Sequence, residues 1–163
     1  MILDKLKITF RKAKANDAYI LSEYRVKFIN EVFEIKTHPD AEQLKIELVE
    51  YFSQSIINKS VIAWLAEYEN RIISTSCLVI WSAPPSYSSL KNKGKRGYIL
   101  NMYTLNEFRR MGIASVLLEK LILEAKKMTL EFINLHATND GIKVYKNMEF
   151  REPKFPELKL KIE

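Results

Sequence analysis

A chain of 163 residues, 47% apolar and 28% charged, has the composition of one globular domain spanning 1–163 and long enough to bury its own core. One cysteine, Cys77, excludes an internal disulfide, no apolar run is long enough to span a bilayer, and the opening MILDKLKITF is no signal peptide, so a cytoplasmic protein with no membrane partner is expected. The net charge of +6 suits an anionic partner, whether nucleic acid or a small ligand with several negative charges.

In chain order, Lys7–Arg11 alternates as a short strand. Asn16 or Asp17 can cap a helix running to about Phe33, with Ile20, Leu21, Tyr24, Phe28 and Val32 as its apolar set. Asp40, with Gln43 placed for a capping box, starts a second helix to about Ile57. Leu44, Leu48, Tyr51 and Phe52 form its expected inner face. Val61–Tyr68 and Arg71–Trp81 read as strands joined at Glu69-Asn70. Cys77, inside the second of them, reads as a buried structural thiol. Ser82–Lys95, with two prolines and four serines, is expected to be a mobile, exposed loop. Its lysines read as solvated, and no nucleic-acid-binding motif accompanies them.

Tyr98–Leu105 is too continuously apolar to alternate, which predicts a strand covered on both faces. A polar turn, Asn106–Glu107, leads to Arg109-Arg110-Met111-Gly112-Ile113-Ala114. A helix then begins, with Leu117, Leu118, Leu121, Ile122 and Ala125 on one face and Glu119, Lys120, Glu124 and Lys127 elsewhere. The first turn of a helix has amides without intrahelical partners and about half a positive charge from the macrodipole. Small residues there let a phosphate approach the backbone, and arginines add charged donors. The physical reading is a pyrophosphate cradle at the end of a central strand. Farther on, Glu131–His136 reads as a short strand, Asn139–Lys146 as a helix capped by Thr138, and Phe155–Ile162 as a final alternating strand.

The spacing Arg109-x-x-Gly112-x-Ala114, between strand and amphipathic helix, resembles the R/Q-x-x-G-x-G/A signature of the GNAT superfamily of acetyl-CoA-dependent N-acetyltransferases. The element order β-α-α-β-β-β-α-β-α-β is also that of the family. The resemblance implies an α/β (α+β) fold: a mixed, mostly antiparallel sheet with helices on both faces, in which the strands over 98–105 and 132–136 splay apart. Acetyl-CoA would enter that gap as co-substrate. Its pyrophosphate would lie on Arg109, Arg110, Met111, Gly112, Ile113 and Ala114, and its pantetheine arm along Met102, Tyr103 and Thr104. The alternative for these three strand residues is plain core.

The segment Thr138–Phe150 resembles the family's N-x-x-A-x-x-x-Y-x-x-x-G-F stretch. Tyr145 falls on the tyrosine that protonates the departing thiolate; a phenol with a pKa of about 10 is a competent general acid. The alternative is a packing tyrosine. Thr138 stands where the family has Asn, and adjacent Asn139 could substitute in holding the cofactor. Glu149 stands where the family has Gly and would be strained at positive φ. His136, with an ordinary pKa of about 6.5, is a candidate base and equally a hydrogen-bonded structural residue. Asn101 has two readings: orienting substrate, or satisfying buried backbone. Glu31, Glu34 and His38, around the first helix–helix junction, read as solvated charges. The amide of Thr104 is the expected donor to the carbonyl oxygen on which charge grows.

The resemblance therefore implies N-acetylation of a small-molecule or peptide amine by direct transfer, with a CoA-binding module that does not catalyse as the alternative. No metal is expected: two histidines and one cysteine lack ligand spacing. Walker A, GxGxxG and nucleophile-elbow patterns are absent. Nucleic acid is not an expected partner, and a homodimer is left open.

Overall fold

The computed structural model describes residues 7–162. The reading of the opening run as no signal peptide thus falls largely outside the described residues. Five strands, β1 (Thr9–Lys12), β2 (Val61–Tyr68), β3 (Arg71–Ser82), β4 (Lys95–Thr104) and β5 (Ile133–Leu135), form one sheet in sequence order. The first three pairings are antiparallel and β4–β5 is parallel. Four helices accompany them: α1 (Ala18–Val32), α2 (Ala41–Ile57), α3 (Ile113–Lys127) and α4 (Ile142–Asn147). Among the described residues no helix is long and apolar enough to cross a membrane.

The sheet has a helical layer on each face, as its patterning requires. Ala18 and Leu21 of α1 and Phe52 of α2 pack with Ala63, Leu65 and Cys77 on one side. Leu118, Leu121 and Ala125 of α3 pack with Leu78 and Ile99 on the other. The strand buried on both faces is β3, where Ile73 through Leu78 are all buried. In β4 burial alternates through Gly97, Ile99 and Asn101, contrary to the reading of 98–105 as doubly covered. Cys77 is fully buried, as expected, and burial pushes its thiol up to about 12.

Several elements differ from expectation. Neither Asp40 nor Gln43 caps α2; the Gln43 amide donates instead to Glu47 at 2.8 Å. The inner face of α2 runs through Leu48, Phe52, Ser55 and Ile56, one helical row. Leu44, a turn too early, and Tyr51, rotated off that row, are 37% and 44% exposed. Glu124 lies on the buried face of α3, where Lys12 of β1 satisfies it at 2.8 Å. The 82–95 loop is exposed but tied to itself, with Ala83 donating to the Gly94 carbonyl at 3.0 Å and Gly94 to that of Ser89 at 3.2 Å. No strand forms over Phe155–Ile162. Leu158, Leu160 and Ile162 are 91%, 82% and 80% exposed. Alternation sorts side chains to two sides, but a strand also needs a partner edge, and Pro153 and Pro156 bring no amide to one.

Candidate functional site

Strands β4 and β5 touch and then part. Gly97 donates to the Phe132 carbonyl at 3.0 Å, and a Cβ added at Gly97 would lie 2.5 Å from the Ile133 side chain, so only glycine allows this approach. Pairing runs through Gly97–Ile133, Tyr98–Asn134 and Ile99–Leu135, then stops. Two residues later β4 bulges. Asn101 takes a left-handed φ of 57°, and the register with β3 slips between Thr75 and Cys77. The bulge is pinned from both sides: the Asn101 amide donates to the Leu21 carbonyl of α1 at 3.0 Å, and Thr75 donates to the Asn101 carbonyl at 3.0 Å. Asn101 therefore satisfies buried backbone, while its own Oδ1 has no partner among the described residues.

Beyond the bulge, the Tyr103 carbonyl accepts from Ser74 of β3 at 2.8 Å and Leu105 donates to Ile73 at 3.0 Å. Backbone groups alternate sides along a strand, so those of Met102 and Thr104 point away from β3, toward the space β5 has left. A strand edge offering the Met102 amide and carbonyl and the Thr104 amide is what an extended ligand with its own amides would use; the Thr104 carbonyl is taken by Arg109.

The gap opens onto the start of α3. Arg110 and Gly112 have φ of 62° and 81°, folding the chain back before the helix. Val116 donates to the Gly112 carbonyl at 3.2 Å, whereas the amides from Arg110 to Ser115 have no backbone acceptor among the described residues. A Cβ on Gly112 would meet nothing within 4 Å, so this glycine is required by its φ and fronts open space. The side chains of Met111 and Ile113 turn into the core, leaving their backbone to the outside. These residues fit a pyrophosphate by the donor chemistry of the loop itself.

Arg109 is held differently from Arg110. Its Nε donates to the Thr104 carbonyl at 2.9 Å, and its terminal nitrogens fork onto Glu31 of α1 at 2.6 and 2.8 Å. Its guanidinium lies 5.5 Å from the Tyr103 ring centre. The pairing with Arg109 lowers the Glu31 pKa. Sequence reading treated Glu31 as a solvated charge; no local pattern could reveal a partner 78 residues away. Arg110 is exposed and forms no ion pair among the described residues.

At the other end of the gap the Tyr98 hydroxyl meets His136 Nδ1 at 2.5 Å. The His136 side chain is 70% exposed, with Nε2 3.9 Å from Glu157. Tyr145 of α4 packs edge-on against Phe150 at 5.9 Å, and its hydroxyl makes no hydrogen bond among the described residues. Burial, and secondly the Tyr98 phenol, push its pKa up to about 12. Thr138 holds the turn before α4: its hydroxyl accepts from the Gly141 amide at 3.2 Å and its carbonyl from Ile142 at 3.0 Å. The helix begins at Ile142 rather than Asn139, which is exposed. The structure thus brings 102–104 and 109–114 together through the Arg109–Thr104 bond, and groups Tyr98, His136 and Tyr145 around the parting strands. Tyr98 was missed because an aromatic residue in an apolar run looks like core. Among the described residues no three His, Cys, Asp or Glu side chains gather as a metal site would need.

The family model of the GNAT acetyltransferases matches residues 29–150, three quarters of the chain. The chain belongs to the GNAT acetyltransferase family. Among solved structures it is similar to a predicted acetyltransferase from Clostridium acetobutylicum, solved with acetyl-CoA. That protein is 33% identical over 93% of this chain and 96% of its own, with a TM-score of 0.82. A GCN5-related N-acetyltransferase from Ralstonia eutropha shares the fold at 21% identity and a TM-score of 0.80, covering 94% of this chain and 98% of its own. An aminoglycoside acetyltransferase from an uncultured soil sample does so at 16% and 0.69, covering 96% and 99%. No curated protein matches the chain. Family membership makes this GNAT chain one of an acyl-transferring fold, with a five-stranded, mostly antiparallel sheet and helices on both faces.

Proposed function

We propose that this chain transfers the acetyl group of acetyl-CoA to a primary amine, directly and within a ternary complex. One observation carries the reading: a strand edge left open by the parting of β4 and β5 runs straight into a helix start rich in unpartnered amides. The amides of Arg110 to Ala114 hold the pyrophosphate, with Arg110 as a flexible counter-charge. The backbone of Met102 and Thr104 aligns the pantetheine arm. When bound, acetyl-CoA supplies an activated thioester carbonyl.

The remaining chemistry falls to side chains and amides of this chain. The Thr104 N–H lies on the open edge and donates to the carbonyl oxygen as its charge grows. The attacking amine must first lose its proton. With its Nδ1–H donating to the Tyr98 oxygen, His136 leaves Nε2 as the accepting atom, directly or through water. The Tyr145 phenol, kept protonated by its raised pKa, donates a hydrogen bond to the departing thiolate. At about 12 it is a weaker acid than an ordinary phenol, so stabilising the thiolate is its larger contribution.

The test is release of thiol from acetyl-CoA across a panel of amines. Turnover of at least one amine supports the proposal; CoA binding by calorimetry with no turnover favours the non-catalytic module.

A further inference from the structure

On the α1 face of the sheet, the bulge is fastened to the Leu21 carbonyl. Arg25 follows one turn later on the same face of α1, the face that meets the bulge through Leu21. It is half-buried, and its guanidinium lies 5.6 Å from the ring of Phe28, itself half-buried and outside the core clusters. Arg25 makes no ion pair or hydrogen bond among the described residues. The acids that could neutralise it are committed. Glu23 pairs with Lys27 at 2.6 Å and Glu31 with Arg109 at 2.6 Å, and α1 carries no other acid. Glu157, from the tail, faces His136 at 3.9 Å and is 65% exposed. Burial raises the pKa of both the Tyr98 hydroxyl and the Cys77 thiol, and the Arg25 charge reaches both, opposing that rise in small part.

A guanidinium with no counter-charge from the protein is open to one supplied by a ligand. A guanidinium fork matches a carboxylate in shape as well as charge. We infer that Arg25 receives an anionic group of the acceptor, so that the substrate is an amine that also carries a carboxylate, such as an amino acid or short peptide, and not a polycation. This rests on the transferase reading above. The amine would lie toward Tyr98 and His136 and the carboxylate toward α1. A polyamine or aminoglycoside would instead bring more positive charge to Arg25, with exposed Glu157 to oppose it.

The experiment compares free α-amino acids and dipeptides with their C-terminal amides, and with spermidine and kanamycin, by thiol release. The carboxylate forms should exceed their amides in kcat/KM by about tenfold or more. Arg25→Gln should raise the acceptor KM about tenfold to a hundredfold, the size of one lost charged hydrogen bond, and so abolish that preference. It should leave kcat, CoA affinity and melting temperature near their original values, since Arg25 loses no ion pair or hydrogen bond to the protein, only its contact with the Phe28 ring. Arg25→Lys should retain part of the preference. Preferential use of spermidine or kanamycin, an unchanged preference in Arg25→Gln, or CoA binding with no acetylation of any amine would each overturn the inference. Failure of the original protein to bind CoA in calorimetry would instead remove the transferase reading beneath it.

Discussion

The start of α3 and the inner face of α1 border the same gap but are built by opposite means. At α3 the groups turned to the gap are backbone amides, placed by two left-handed residues, with the neighbouring side chains buried or turned outward. At α1 they are side chains: Glu31 on Arg109, Arg25 unpaired, Tyr24 in edge contact with Tyr103 at 5.6 Å. A backbone site depends on conformation and tolerates most side chains. A side-chain site depends on identity and can change its ligand by one substitution. The first suits a cofactor shared across a family, and the second an acceptor that differs between members.

The largest effect should come from breaking the conformation at α3. Gly112→Val places a β-branched residue at φ 81°, where even an ordinary side chain costs about 1–2 kcal/mol. Because a Cβ there would meet no protein atom, the damage should appear in ligand binding more than in folding. Calorimetry should show CoA affinity weakened about a hundredfold, with Gly112→Ala much milder. Equal affinity for Gly112→Val would move the pyrophosphate elsewhere.

Tyr145→Phe should follow, lowering kcat by about tenfold to a hundredfold at unchanged CoA affinity, as expected for loss of one proton-donating contact made to the leaving group. Unchanged turnover would make Tyr145 a packing residue of the α4 face. A pH–rate profile adds a second check. With its phenol at about 12, Tyr145 should leave no titration step of its own below pH 10.

Glu31→Gln tests whether the α1 side supports the α3 side. The Glu31 fork keeps Arg109 Nε on the Thr104 carbonyl, at the strand end whose amide faces the gap. Losing it should reduce kcat several-fold, while the freed guanidinium keeps or improves CoA affinity. A parallel loss of both would mean simple unfolding. The Glu31 pKa is depressed in the folded state, so its contribution to stability is present above its ordinary value of 4.5 and is lost as pH falls through the lowered one. With its side chain 42% exposed that contribution is small. Melting curves of the original protein should fall slightly more between pH 5 and 3 than those of the variant.

What could be read in advance divides along the same line. Helix periodicity, the hairpin at Glu69-Asn70 and the turn around Gly112 are local, and each is legible because nearby residues determine it. The bulge at Asn101, the Glu31–Arg109 fork and the burial of Glu124 under Lys12 join residues far apart in sequence, so spacing carries no trace of them. The tail misled in the other direction. The alternation of Leu158, Leu160 and Ile162 is genuine, but alternation describes one strand, whereas pairing requires two.

The smallest effect concerns a residue that breaks a local rule. The end of α4 is a Schellman motif: Phe150 donates to the Tyr145 carbonyl at 3.1 Å and Glu149 to that of Lys146 at 3.1 Å. The position between helix and exit takes φ 65°, and it holds Glu149 instead of glycine. The apolar contact that accompanies such a cap is the Tyr145–Phe150 ring pair. Strain at Glu149 is therefore stored in the turn that orients the proposed acid. Glu149→Gly removes about 1–2 kcal/mol of left-handed strain and returns about 0.4–1 kcal/mol of that as extra freedom of the unfolded chain. The net gain, about 0.5–1 kcal/mol, should raise the melting temperature by about 1–4 °C. Glu149→Ala keeps the strain and should raise nothing. If the glycine variant melts no higher than the alanine one, the left-handed turn at 149 is not a source of strain, and the anchoring of Tyr145 rests on the ring contact with Phe150 alone.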